Sequence, residues 1–300
     1  MTGTARFTRS PDATVEATPA TGATAKQFDL TLLATGWGFN GTPDRFCAKA
    51  KEAGYDGIET WWPMEENVQQ ELFAALKKHD LKVGFLCGAQ QKEYKEHYAD
   101  FKKMLTAAAT NVFQKPIYIN CHSGRDYFSY DQNKTFIELT TGLARQTGLT
   151  ICHETHRARL LYSAPAARQF FDKYPELRIT LDASHWCNVS ESLLEDQPET
   201  MQIALQRTDH IHARIGHAEG PQVADPRAPE WKDAVNAHLA WWDEIAKSKK
   251  EQGKPLTILT EFGPPDYMPT APYTRKPLAD QWAINVYMLQ LLRKRYLSVA

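Results

Sequence analysis

The sequence has no long apolar run, no imbalance of charge and no paired cysteine motif, and each absence removes a class of protein. A membrane helix needs ~20 consecutive apolar residues, and nothing here approaches that, so no membrane span is expected. Thirty-five basic residues stand against 36 acidic ones, with 10 histidines. Such a balance gives no overall field to draw nucleic acid or an anionic membrane surface, and neither is expected as a partner. The five cysteines (Cys47, Cys87, Cys121, Cys152 and Cys187) are scattered, and none stands in a CxxC. They read as buried reduced thiols of a cytoplasmic protein rather than a disulfide framework. No GxGxxG follows the first apolar run and no GxxxxGK[ST] occurs, which counts against nucleotide-binding sheets. Residues 1–26 are rich in Ala and Thr and lack a basic start followed by an apolar stretch. They are expected to form a disordered leader, not a secretory signal.

What the sequence does have, from residue 27 onward, is alternation. Short β-type runs are each followed by a segment of helical period: FDLTLLAT (28–35), GIETW (57–61), LKVGFLCG (81–88), PIYINCH (116–122), LTICHE (149–154), RITLDAS (178–184), HIHARIG (210–216) and LTILTEF (256–262). The first helix carries its own start signal, Thr42 as N-cap with Pro43 in the first turn. Alternating strands and helices pair in parallel through crossovers. Eight such units in one chain predict an α/β protein, a single (β/α)8 TIM barrel over residues 27–300.

A barrel of this kind carries its site at the C-terminal ends of its strands, and there the polar residues collect. Glu59 ends the second run, His122 the fourth and Glu154 the fifth; Asp182 and His185 close the sixth, His210 and His212 lie in the seventh, and Glu261 closes the eighth. Residues two apart share a face of a strand. Thr208, His210, His212 and Arg214 therefore lie together, with His212 nearer the mouth. Parity permits Glu154, Asp182, His212 and Glu261 to converge. Three carboxylates and an imidazole suit one divalent ion of hard or borderline character, Mn²⁺, Mg²⁺, Co²⁺ or Zn²⁺. His210, deeper in its strand, equally suits a hydrogen-bonded place in the core.

With ICHETH, LDASHW, HIHARIGH and LTEFGP in this order, the chain resembles the xylose isomerase-like TIM-barrel superfamily, most nearly its sugar phosphate isomerase/epimerase type. The resemblance spans roughly residues 27–297. It implies that Glu154, Asp182, His212 and Glu261 hold a metal, that Glu154 and Glu261 also exchange protons with substrate, and that His185 orients or polarises a sugar. Two departures narrow it. The third run ends in FLCGAQ without histidine and no Asp-x-His follows His212, unlike the trinuclear endonucleases of the superfamily. The epimerases carry an arginine six residues after the metal histidine; here that position is Ala218, and Arg214 comes only two residues after.

Around that centre, Trp37, Phe39, Trp61 and Trp62 could stack on sugar faces or fill the barrel rim. HSGRD offers His122 and Arg125 for hydroxyls or a carboxylate, or a loop hydrogen-bond cluster. His156 and Arg214 are further candidate substrate contacts, and the Pro-rich stretches GPQVADPRAPEW and GPPDYMPTAPYT could close the mouth. The expected function is a metal-dependent sugar isomerase or epimerase working by proton transfer through a metal-stabilised enediolate. A metal-assisted glycoside hydrolase or lyase on the same barrel and a non-catalytic carbohydrate-binding barrel are the alternatives. A small sugar or sugar derivative is the expected partner, with a homo-oligomer left open.

Overall fold

In the computed structural model, which describes residues 28–297, eight parallel strands close into a barrel in chain order. They are β1 (Leu30–Thr35), β2 (Gly57–Trp61), β3 (Lys82–Gly88), β4 (Ile119–His122), β5 (Ile151–Glu154), β6 (Ile179–Leu181), β7 (Thr208–His212) and β8 (Leu256–Thr260). The ring closes where β1 pairs with β8, from Leu30 against Leu256 to Ala34 against Thr260. The leader expected at residues 1–26 lies outside the described residues.

Outside the strands lie α1 (Pro43–Ala53), α2 (Glu66–His79), α3 (Tyr94–Ala109), α4 (Tyr130–Thr147), α5 (Ala164–Phe171), α6 (Ala183–Ser190), α7 (Pro198–Arg207), α8 (Lys232–Glu251) and α9 (Gln281–Leu297). Their ends follow local chemistry. The Thr42 hydroxyl accepts the Arg45 N–H at 3.4 Å, with Pro43 in the first turn where no N–H is needed. Ser129 and Gln132 satisfy each other's backbone donors at the start of α4, a reciprocal capping box. Between helices and strands runs one continuous apolar layer, and all five cysteines are buried and unpaired within the structure.

The sixth unit differs from its sequence reading. RITLDAS is expected as strand throughout, but β6 stops at Leu181. Asp182 caps a new helix, its Oδ1 accepting the Ser184 N–H at 3.1 Å. An Asp two residues before Ser competes with strand pairing by offering the backbone this local bond. One expected helix therefore becomes two, α6 and α7, and His185 sits in α6 rather than at a strand end. β7 and β8 likewise end earlier than expected, at His212 and Thr260, which leaves Arg214 and Glu261 on the segments just beyond them.

The lumen is filled in layers. Leu33, Tyr118 and Leu259 form a buried plug, and Gly84 makes room for it, since a Cβ there would lie 2.3 Å from the Tyr118 ring. Above the plug the side chains turn polar. That change sets the floor of the site.

Candidate active site

β7 delivers two inward histidines at different depths. His210, the deeper, is fully buried and stacks on Tyr118 with ring centroids 3.9 Å apart; its Nδ1 meets the Thr257 hydroxyl at 2.7 Å and carbonyl at 3.0 Å. Tyr118 donates its hydroxyl proton to Glu59 at 2.8 Å. Burial opposes charge on Glu59, but His212 and His210 beside it bring its pKa down to about 2. Glu59 is therefore a carboxylate at neutral pH, with Oε1 3.3 Å from Nε2 of His212. The amide nitrogen of Asn120 lies 3.2 Å from the same ring nitrogen, so Nε2 is held between a carboxylate and an amide.

His212 Nδ1 faces the second layer. It lies 2.8 Å from Glu261 Oε2 and 3.7 Å from Glu154 Oε2. Neither Nδ1 of His212 nor Oε2 of Glu261 has a hydrogen-bond partner, although both are buried. Ligand atoms of Glu154, Asp182, His212 and Glu261 all lie within 4.8 Å of one another. Two buried polar atoms that approach to 2.8 Å without an aligned hydrogen bond are atoms that a bound cation would satisfy. The donor set, three carboxylates and an imidazole, fits a divalent ion. Without one, burial disfavours the charged imidazole, yet Glu261, Glu154 and Glu59 outweigh that and hold His212 well above the ordinary histidine range.

The neighbours of each acid differ. Asn120 donates to Glu154 Oε2 at 2.6 Å and His122 Nε2 lies 2.9 Å from the same oxygen. Burial raises the Glu154 pKa, but His122 and His212 bring it well below the usual carboxylate range. Asp182 is held in place by Thr155, whose hydroxyl takes the Asp182 N–H at 2.8 Å. Its Oδ2 is already engaged by the Arg214 guanidinium. Burial raises Asp182 to about 6, against the pull of Arg214 and with a further push from Glu261 and Glu154. Arg214 also reaches His185 Nε2 at 2.8 Å, and lies 3.6 Å from Glu261.

Over this floor opens a cavity of about 340 Å³, within the about 300–1,000 Å³ of small-ligand sites. Eight sequence-predicted residues line it: Trp37, Glu59, Trp61, His122, Glu154, His156, Arg214 and Glu261. Asp182, His212 and His185 are fully buried below it, and Arg125 is not among the residues lining it, its guanidinium resting on the carbonyls of Ala89 and Gln90. The aromatic candidates divide. Trp37 and Trp61 face the cavity, whereas Trp62 packs in the core against Phe85, and Phe39 against Phe46. Tyr267 closes one wall edge-on to Trp37 at 4.8 Å, under the Arg214 guanidinium.

Tyr267, Asn120 and Arg159 join the site unannounced by their spacing. Asn120 could have been found from parity, two residues before His122 on β4; Tyr267 and Arg159 lie on loops whose course no periodicity gives.

Fold and site together define a (β/α)8 barrel with a buried acid–histidine cluster beneath an open cavity. The family model for the xylose isomerase-like TIM barrel matches residues 47–225, and the chain belongs to that family. No curated protein matches the sequence. Among solved structures, a D-tagatose 3-epimerase-like protein superposes with a TM-score of 0.58 at 12% identity, covering 89% of this chain and 97% of its own. The 3-keto-D-glucoside 4-epimerase of E. coli superposes at 0.56 with 14% identity, covering 88% and 99%. The probable 3-DHS dehydratase of Bacillus anthracis gives 0.56 at 17%, also covering 88% and 99%. At such identities these likenesses establish the fold.

Proposed function

We propose that the protein is a sugar isomerase or epimerase that moves a proton between two faces or two carbons of its substrate. The observation that carries this reading is the convergence of Glu154 and Glu261 on one cavity with the unpartnered Nδ1 of His212 between them. Glu154, Asp182, His212 and Glu261 would hold one divalent ion, and that ion would supply Lewis-acid polarisation of a carbonyl and an adjacent hydroxyl. The chain's own residues do the rest. One glutamate removes the proton alpha to the carbonyl, and the other returns a proton to the opposite face or the neighbouring carbon. Glu154 is ionised at neutral pH, as a base must be, because His122 and His212 stabilise its charge. Asn120 and His122 fix its orientation. The 3-keto-D-glucoside 4-epimerase, which shares this fold, carries out a reaction of this class.

Trp37, Trp61 and Tyr267 supply apolar faces on which the C–H side of a sugar ring can stack. Arg214 and His156 stand at the same cavity to meet hydroxyls. His185, buried beneath Arg214, steadies the guanidinium rather than touching substrate.

The test is substrate C–H exchange in D₂O over a panel of sugars, with Glu154→Gln and Glu261→Gln. Each variant keeps size and an oxygen ligand but cannot act as a carboxylate base. Turnover is expected to fall by about 10²–10⁴ in each, the scale of a positioned base, while part of the metal is retained. The variant lacking the first base should also lose deuterium wash-in; its partner may exchange the first proton without completing the reaction. Normal turnover in Glu154→Gln would reject the mechanism. Release of a glycosidic product without exchange would establish the hydrolase reading instead.

A further inference from the structure

Arg159 lies on the turn between β5 and α5, lines the cavity beside Glu154 and is 8% exposed. Its Nε and Nη1 are buried without a hydrogen-bond partner, and among the described residues its side chain makes no hydrogen bond or ion pair. Every other buried cation in the barrel is handled differently. Arg214 is held on Asp182, and Lys249 on Asp209. A guanidinium cannot shed its charge as a histidine does. Burial and the nearby charge of Arg125 lower Arg159 only to about 10, so it remains a cation at neutral pH.

Arg125 makes the imbalance larger. Its Nη2 meets two backbone carbonyls, its Nε is buried and unpartnered, and it too forms no ion pair among the described residues. Two guanidiniums thus stand together on the β4–β5 side of the mouth, with Glu154 and Asp126 near Arg159 but neither in hydrogen-bond or ion-pair contact with it. Leaving a buried charge uncompensated costs stability, and the protein carries that cost beside its candidate substrate cavity. Planar N–H forks are suited to a carboxylate or phosphate, which they can bind through two parallel hydrogen bonds.

We propose that Arg159, supported by Arg125, binds an anionic group of the substrate, so that the cavity takes an acidic or phosphorylated sugar in preference to a neutral one. This rests on the reading of the cavity as a sugar site. It adds the substrate's charge and where on the rim that charge sits: beside Glu154, with the ring lying across Trp61 and Trp37.

The experiment uses full-length Mn²⁺-supplemented protein and calorimetric titration with glucose, gluconate, glucose 6-phosphate and inorganic phosphate. At least one anionic probe is expected to bind tenfold or more tightly than glucose. Gluconate and glucose 6-phosphate separate a carboxylate from a phosphate as the group recognised. Arg159→Met, which keeps the bulk of the side chain, should erase that preference and leave bound Mn²⁺ unchanged. It should also hold or raise the Tm of the ligand-free protein, because an uncompensated buried charge is gone; a purely structural arginine would lower it. Equal affinity for all four probes, binding by none, or a preference that survives in Arg159→Met would each overturn the proposal. These readouts need no turnover. Failure of the proton-transfer reading would appear as absent C–H exchange with anion binding intact, and failure of the anion site as exchange on neutral sugars.

Discussion

The two ends of the barrel differ in how fully their charged groups are satisfied within the chain. At the N-terminal end, Arg178 at the start of β6 lays its fork on Asp209 at 2.6 and 2.7 Å, and Lys249 from α8 completes the group on the same carboxylate. Both cations there share one carboxylate, and the group ties β6, β7 and α8 together. At the mouth, Arg159 has no hydrogen-bond or ion-pair partner among the described residues, and His212 and Glu261 approach to 2.8 Å without an aligned hydrogen bond. Residue types are the same at both ends; what differs is whether the polar atoms are satisfied within the chain. A satisfied group holds a fold together, while an unsatisfied one waits for something from outside.

That contrast can be broken by substitution. The largest effect is expected at the mouth. His212→Ala and Asp182→Asn should each reduce divalent-metal affinity by more than the about 10–100-fold that outer partners of a ligand typically cost, measured by elemental analysis after dialysis. Asp182→Asn keeps an oxygen for the Ser184 cap, so its folded state should survive. Stoichiometric metal in both variants would remove them from the ligand set.

At the other end, Asp209→Ala should do the reverse. It strands Arg178 and Lys249, and the cost should be about 2–3 kcal/mol, below the usual range for a fully buried pair because Asp209 and Arg178 keep partial contact with solvent. Urea unfolding measures it. Metal content and any turnover should be unchanged, and a loss of metal in this variant would collapse the distinction between the two ends.

A pH-dependent effect belongs to a third way of burying a basic group, keeping it neutral. His238 on α8 is fully buried, donates from Nδ1 to the Ala234 carbonyl at 2.8 Å and accepts the Gly216 N–H at 3.4 Å. Burial lowers its pKa from 6.5 to about 4. Below 6.5 the unfolded chain takes up a proton at this residue, whereas the folded chain does not until about 4. Stability is therefore lost as pH falls across that window, at about 1.4 kcal/mol per pH unit for this one group. Denaturant midpoints measured from pH 7 to 4 should fall less steeply in His238→Gln than in the parent chain, by the slope of one proton.

The sequence made some of this arrangement legible and hid the rest for identifiable reasons. Strand ends could be read because apolar runs stop abruptly at His122 and Glu154, and period two says which neighbours share a face. The barrel could be read because the βα unit recurs eight times. The lower layer was not legible as a unit. Glu59 on β2 and Tyr118 and His210 from opposite walls meet only once the sheet closes on itself, and no linear spacing encodes a contact across a lumen. Asp182 was readable as a strand-end acid but not as a helix cap, since both roles use the same residue at the same place. Arg159 was invisible for a different reason, because its distinguishing feature is the partner it lacks.

The contact between Arg214 and Asp182 bears on how such a protein could be made and kept. Three buried acids around one point would repel one another in a newly synthesised chain, and many small metal-binding domains stay unfolded until an ion arrives. Here the chain carries its own cation to the cluster, a guanidinium already in contact with one acid and 3.6 Å from another. The barrel could then mature with its acid cluster partly neutralised, and ion capture would become a late displacement in which Asp182 exchanges one positive partner for another. Supply of the ion would then govern how much of the folded pool is active, and not how much of the chain folds.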